Sequence, residues 1–402
     1  MVTPLPVELI DSIVDQLCDD RDALKSCSLA AQTLRPRAQA HLFKDISLES
    51  ATWCEKFYRT TCLSPSLPRS VRSMRLVSFP GQWIKDEPSF PLLVEKMANL
   101  QQLMMFFVDW DSTPALNSAL QTLGNLTSVT LTNVSFASSI EFFNTLRCWP
   151  NLRHLTLRGI FFKNRLVEPI DCIPALEGIP TRLESLNILS TQYSDDNSRA
   201  ILRALTHPSS PISLSELKEF HIAPFDTDDI DLVRTTMEQC SDFLRNLTID
   251  AFIHAHVVDQ ITLNCDPLPV HHLSSLALEM SDKVSVGRQL EWWARGFRLP
   301  AREYSLRQLH LIVRLDAAAN MNSPAFHVQG AWRALDDVLT RREMRMLDGL
   351  KLTFDVGPAA DKHALRESLK AFLCAAFPRL VHQGRLDFTV RDTFQRLIAK
   401  GR

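Results

Sequence analysis

The residues with the best claim to chemistry in this 402-residue chain are its histidines, cysteines and one acidic run. His254-x-His256 and His271-His272, with Cys265 between them, are ligand types a transition metal would accept. A metal site needs ligands that converge at regular spacing, and these pairs are irregularly spaced in an apolar stretch. Asp226-Thr227-Asp228-Asp229-Ile230-Asp231 offers carboxylates for calcium but lacks the central Gly and closing Glu of a calcium loop. Acids at a helix N-terminus, where the macrodipole favours them, account for it better. No G-x-x-x-x-G-K, G-x-G-x-x-G, G-x-S-x-G or H-E-x-x-H occurs, and 11 glycines make phosphate-cradling loops scarce. The reading is a chain with no catalytic residues, no metal and no cofactor.

The nine cysteines are odd in number, scattered and free of C-x-x-C pairs, which fits reduced thiols in a cytoplasmic or nuclear protein. The Asn-x-Ser/Thr triplets at Asn125, Asn133 and Asn246 are then not glycosylation sites. A net charge of −2 gives no global pull toward nucleic acid or an anionic membrane. The uncharged run from Ser112 to Ile140 is rich in Ser, Thr and Asn, which excludes a membrane span. Charge is uneven, however: residues 301–402 carry 17 Lys and Arg against 11 Asp and Glu.

The elements that must position any site follow from a repeat. The frame apolar-x-x-apolar-x-apolar returns eleven times. It begins Phe43-Ile46-Leu48, Val71-Met74-Leu76, Leu100-Leu103-Met105 and Leu126-Val129-Leu131. It continues through Leu152, Leu183, Leu217, Leu244, Leu273 and Leu306 to Leu347-Leu350-Leu352. Stretches of helical period lie between frames, among them Ser139–Arg147, Asp195–Leu205, Asp228–Phe243, Gly287–Phe297 and Val328–Arg342. Helix, break and short strand at a period near 30 is the leucine-rich-repeat plan, in which neighbours stack to bury one core. The Asn that usually closes the frame is missing from every copy, so its side-chain ladder is not expected. A closed α/β barrel is excluded by the short strand core and the lack of fully apolar runs.

The expected fold is therefore α/β, with short parallel strands on a concave face and helices on a convex face. Alternate frame positions point outward. They nominate a target-binding row of Arg75, Phe106, His154, Arg158, Glu219, His221, Asp250, Glu279, His310 and Lys351. Trp292-Trp293 is the competing anchor, with core packing of both the favoured reading.

Residues 5–43 break the repeat. Pro6 opens an amphipathic stretch with Leu9, Ile10, Ile13, Val14 and Leu17 at helical spacing, followed by Asp22–Leu34 and Pro36–Leu42. Three helices of that size are too small to be stable alone and need to pack on the repeat region, on a partner, or on both. Leu5-Pro6-x-Glu8-Leu9-Ile10-x-x-Ile13-x-x-x-Leu17, then Asp22-x-Leu24-x-x-Cys27-Ser28-Leu29, then Arg35-Pro36-Arg37 and His41-Leu42-Phe43, resembles an F-box. The likeness is nearest to F-box segments of fungal proteins with leucine-rich-repeat-like tails. Ala30-Ala31-Gln32-Thr33-Leu34 replaces the Val-Cys-Arg-x-Trp run of many relatives. The resemblance implies an F-box domain over 1–48 and a substrate-binding repeat region over 49–402. It further implies a Skp1-type adaptor, and through it a cullin–RING ubiquitin ligase, bound by Leu5, Pro6, Leu9, Ile10, Ile13, Leu17, Leu24 and Leu29. The function implied is recognition of a protein target for ubiquitination. The alternative is a repeat scaffold outside any ligase, with the three helices serving only as a cap.

Overall fold

The computed structural model describes residues 5–79, 82–110, 114–164, 180–189, 195–208, 210–223, 227–250, 255–281, 285–298, 303–315, 326–356 and 362–392. The chain is α/β, and its contacts divide it into two compact units. The first comprises Met1–Leu183 with Thr191–Ser213, the second Glu184–Ser190 with Leu214–Arg402. The change from helices to strands falls at Asp45, near the expected boundary at 48, whereas the two units divide within the repeats.

The first unit opens with α1 (Val7–Asp15), α2 (Arg21–Ala30) and α3 (Arg35–Leu42). Strands and helices then alternate: β1 (Asp45–Leu48), α4 (Ala51–Leu63), β2 (Ser73–Val77), α5 (Trp83–Asp86), α6 (Ser89–Glu95), β3 (Gln102–Phe106) and α7 (Pro114–Gln121). β4 (Ser128–Phe136), α8 (Ser139–Arg147) and β5 (His154–Phe162) follow. β1 to β5 pair in sequence order, all parallel. A two-residue parallel pair, β6 (Thr181–Arg182), is completed beyond β7 (Ser185–Leu189) and α9 (Asp195–Thr206) by β8 (Ile212–Ser213).

In the second unit β7 pairs with β9 (Glu219–Ile222), followed by α10 (Thr227–Gln239), β10 (Asn246–Ile249), α11 (Ala255–Asn264) and β11 (Ser275–Ser281). α12 (Val286–Gly296), β12 (Gln308–Arg314), α13 (Gln329–Leu339), β13 (Gly349–Val356), α14 (Lys362–Ala376), α15 (Pro378–His382) and β14 (Leu386–Asp392) complete it. Pairing again runs in order and parallel to β14.

Every one of the eleven frames lies on a strand, and their equivalent residues stand in register. Ile46, Met74, Leu103, Val129 and Leu155 form one inward row, and Leu186, Phe220, Leu247, Leu276, Leu309, Leu350 and Leu386 another. From Val71 to Leu347 the first residue of each frame is buried. Each such side chain contributes about 1.5–3 kcal/mol by leaving water. β14 was not anticipated because Gln383 stands where its frame needs an apolar residue.

Two further periodic devices hold the first unit. Asn99, Asn125 and Asn151, each just before a frame, donate Nδ2 to the carbonyls of Arg69, Ala98 and Gly124 at 2.8, 2.8 and 2.6 Å. An asparagine ladder therefore exists, but at the entry of the frame rather than its exit. Phe107, Asn133 and Gly159 occupy one equivalent position and have φ of 56°, 53° and 61°. This extra residue breaks strand alternation, so that Val108, Val134 and Ile160 turn back into the core. Asn and Gly take this backbone readily, while Phe107 is strained in it.

In the second unit a buried carboxylate joins two helices. Asp336 of α13, 1% exposed, accepts from the backbone N–H groups of Arg379 and Leu380 at 3.1 and 3.0 Å, capping α15. Asp336→Ala leaves both donors unpaired and should cost about 3 kcal/mol, with Asp336→Asn costing about 1 because one acceptor remains. Urea denaturation monitored by circular dichroism checks the order; equal stability of Ala and wild type would contradict it.

Candidate functional site

The helix cluster is built around Val14, Leu24 and Ala38, with Leu17, Cys27, Leu34 and Leu42 packed against them. Asp20 starts α2 by accepting from Asp22 and Ala23 N–H at 3.1 and 2.9 Å. Asp15 at the end of α1 ties it to α3. Its carboxylate accepts from Arg37 Nε and Nη2 at 2.5 and 2.8 Å and lies 2.6 Å from His41 Nε2. The hydrogen bond from Arg37, then that from His41, holds the Asp15 carboxyl down at about 2.

α1 proves to carry two apolar stripes rather than one edge. Val14 and Leu17 pack with residues of α2 and α3, and Ile10 is half-buried. Leu9 and Ile13 turn to solvent at 52% and 55% exposure, beside Leu5 at 58% and Val7 at 64%. Leu29 on α2 is 81% exposed, and Pro6 is exposed as well. Leu24, expected at the adaptor contact, is instead at the centre of the cluster because it fills the gap between Val14 and Ala38. Leu17 likewise packs against that core, and Ile10 is half-buried. Val7 joins the exposed set unanticipated; it is the first apolar residue after Pro6 and could have been read so.

The outward strand row in the first unit holds Arg75, Phe106, His154 and Arg158. The Arg75 guanidinium lies over the Phe106 ring at 4.8 Å, a cation–π contact across adjacent strands. His154 and Arg158 are exposed on β5. Phe79 and Phe107, absent from the expected row, are exposed with ring centroids 5.6 Å apart. The left-handed residue at 107 turns that ring outward, and a Phe in an otherwise Asn/Gly position was the available signal.

In the second unit Glu219 is exposed, and Asn246 donates to it at 3.4 Å. His221 Nε2 lies 2.8 Å from Asp250 Oδ1. Glu279, expected to face a target, is 3% exposed and ion-paired to Arg314 of the next strand. Its charge is therefore spent within the sheet. Asp355 is similarly buried beneath Arg391, which binds it through two nitrogens at 2.5 and 3.2 Å. His310 Nε2 stands 2.8 Å from the Thr353 hydroxyl, itself 3.2 Å from the Thr389 hydroxyl. Burial, then the charges of Lys351 and Arg391, push the imidazole down to about 4, with Asp355 opposing. A depression of about 550 Å³ opens over this region, lined by Gln308, His310, Gly349, Lys351 and Asp387. Lys351 is exposed and in register with Asp387. Gly349 lets the chain come close there, since a Cβ would meet the Arg385 carbonyl at 3.0 Å, tighter than ordinary contact.

Trp292 and Trp293 are both buried, and Trp292 Nε1 donates to the Cys265 carbonyl at 2.9 Å. They are core residues and present no anchor. His271 and His272 pack edge to face at 5.3 Å, and burial pushes His272 down to about 4. His254 and the side chain of His256 lie outside the described residues. Among the described residues, no three His, Cys, Asp or Glu side chains converge as metal ligands. Among the same residues, no helix is long and apolar enough to cross a membrane.

No family model matches the chain, and no curated protein matches it. The candidate site thus rests on geometry: an exposed apolar stripe on a small helix cluster, and an outward polar strand face in each unit.

Because the Asp15 carboxyl is held below its unfolded value, its contact stabilises the cluster fully above the ordinary carboxylate range and is lost as pH falls through about 2. An NMR titration of Asp15 should give a midpoint near 2, moving up toward the ordinary value in Arg37→Met. An unchanged midpoint in that variant would show that Arg37 is not the cause.

Proposed function

We propose that this chain is the target-recognition subunit of a Skp1–cullin–F-box type ubiquitin ligase, in which the helix cluster docks the adaptor and the repeat region holds a protein target. The observation that carries the proposal is the exposed pair Leu9 and Ile13, one turn apart on α1, with Leu5, Val7 and Leu29 also exposed on the same three-helix cluster. These side chains are exposed although the same helices bury a complete internal core. Isolated exposed apolar residues are ordinary, but several on so small a helix cluster favour a protein contact. The F-box resemblance at Leu5 to Leu17 names the class of partner. The chain acts by holding two proteins together, the chemistry being supplied by the ligase it joins.

The target surface on this reading is the outward strand face: Arg75, Phe106, His154 and Arg158 in the first unit, Glu219, His221, Asp250, His310 and Lys351 in the second. Rigid strands present these groups with little ordering cost, which favours an extended partner. The basic surplus of the C-terminal quarter favours acidic or phosphorylated segments. Burial of Trp292 and Trp293 removes the competing anchor, since their replacement by Ala reports on folding rather than on binding.

The adaptor contact is tested by Leu9→Asp/Ile13→Asp. Both positions are solvent-facing, so the melting temperature should stay within a few degrees of wild type. A charge at each desolvated contact should lower adaptor affinity by about 30-fold or more per site, at roughly 2 kcal/mol each. Co-purification of the adaptor at wild-type level by the folded double variant would assign the stripe to something other than adaptor docking. In adaptor-competent protein, Arg158→Glu and Lys351→Glu should each reduce target recovery in proximity labelling without altering adaptor binding. Unchanged recovery in both would move the target off the strand face.

A further inference from the structure

β1 is the first strand of its array and pairs with β2 on one side only. The Lys44 carbonyl accepts from Arg72 and Ser73 N–H at 2.8 and 3.0 Å. Along a strand in a parallel ladder, peptide groups face alternate sides. Lys44, Ile46 and Leu48 therefore turn theirs to β2, while Asp45 and Ser47 turn theirs to the free side. Among the described residues nothing pairs with that side. Asp45 and Ser47 are exposed, as an open edge requires. Such an edge is a template for another strand unless something blocks it.

A groove of about 510 Å³ runs along this edge, lined by β1 itself and by Phe43, Trp53 and Phe57. Trp53 is 63% exposed, and the Phe43 and Phe57 rings stand 6.0 Å apart. Side chains of an added strand would enter there, and the lining takes in both faces of β1 together with Ser73 and Met104 of the next two strands. On the face of β1 opposite Ile46 and Leu48 stand Asp45 and Glu49, two residues either side of Ser47. Among the described residues Asp45 has no ion pair, and Glu49 accepts from the Ser47 hydroxyl at 3.1 Å. Arg75 on β2, in register with Ser47, also lines the groove, and its guanidinium lies over the Phe106 ring on β3. Arg21 also lines the groove, but from α2 rather than from the strand face an incoming chain would pair with.

These acids select the occupant. Opposite charges directly across two strands stabilise the pair, and like charges destabilise it. In an antiparallel pairing of two copies centred on Ser47, Asp45 of each would face Glu49 of the other. Self-association is disfavoured and a basic strand is favoured. We propose that the free edge of β1 is a strand-addition site for an extended segment of a partner protein in which apolar residues alternate with Lys or Arg. Main-chain hydrogen bonds to Asp45 and Ser47 would supply affinity, and the aromatic groove and the two carboxylates specificity. The site needs neither the adaptor nor a ligase.

The test is fluorescence anisotropy on the full chain with two labelled nine-residue peptides, one alternating Val and Lys, the other Val and Glu. The Val-Lys peptide should bind at least tenfold more tightly. Ser47→Pro removes an outward N–H without touching the β1–β2 ladder, so it should weaken that peptide by tenfold or more with β2 pairing intact. Asp45→Lys/Glu49→Lys changes only exposed side chains and should reverse the preference, which keeps the test decisive if Ser47→Pro fails to fold. Leu9→Asp/Ile13→Asp should bind the peptide as wild type does, so loss of the adaptor contact and loss of this site read separately. Equal binding of the two peptides, or no reversal in the double Lys variant, overturns the proposal. A wild-type dimer that Ser47→Pro or the double Lys variant disperses also overturns it, by giving the edge to a second copy.

Discussion

The pairing of each short parallel strand with the next is the interaction on which the other features of this chain depend. A four- to nine-residue strand with one apolar edge cannot bury that edge by itself. The inward leucines reach near-zero exposure only because equivalent residues of neighbouring strands stand in register beside them. The constraint propagates outward. Helices must return the chain to its starting side, which fixes the break residues, and the breaks need their own satisfied polar groups. The asparagines at 99, 125 and 151 meet that need by reaching one repeat back.

The same constraint explains what could be read from the amino-acid sequence. The frame positions are apolar in all eleven copies, so the frame recurs visibly and each copy is a strand. Where one frame position is relaxed, as at Gln383 before β14, the strand persists because β13 templates it, and the pattern no longer reveals it. The asparagine ladder was legible as Asn-Leu at a spacing of 26, but only if sought at the frame's entry. Outward residues obey no such rule. Glu279 and Lys351 read alike as outward charges, yet one is buried under Arg314 and the other exposed. The difference lies in which side chain the next strand places across it, and no spacing within one strand encodes that.

The helix cluster shows the limit in another form. Leu9, Ile10, Ile13, Val14 and Leu17 share one helical period, and the period alone assigns them to one surface. Packing separates them, because α2 and α3 cover about half of that arc and the Leu9–Ile13 side remains. Which half is covered depends on Leu24 and Ala38, residues brought to α1 by the turn between α2 and α3. A pattern reader sees an amphipathic helix; only the three-helix geometry shows that its apolar surface exceeds what the cluster can use.

That excess is held in a fixed shape, which matters for binding. The Asp15 carboxylate engages Arg37 and His41 together, so the end of α1 is tied to α3 by bonds across more than twenty residues of chain. An exposed ion pair contributes little stability. Its effect here is orientational: two nitrogens of a planar guanidinium on two carboxylate oxygens fix the rotation of α1 about its own axis. Rotation is the variable that decides whether Leu9 and Ile13 face solvent or the core. On the proposed adaptor-docking reading, that angle is set before the partner arrives, so the ordering cost on binding falls mainly on side chains rather than on a helix that must still find its place. Held by a polar tie on another side of the helix, Leu9 and Ile13 can stay exposed without collapsing inward, and the core of Val14, Leu24 and Ala38 already fills the space into which they would collapse.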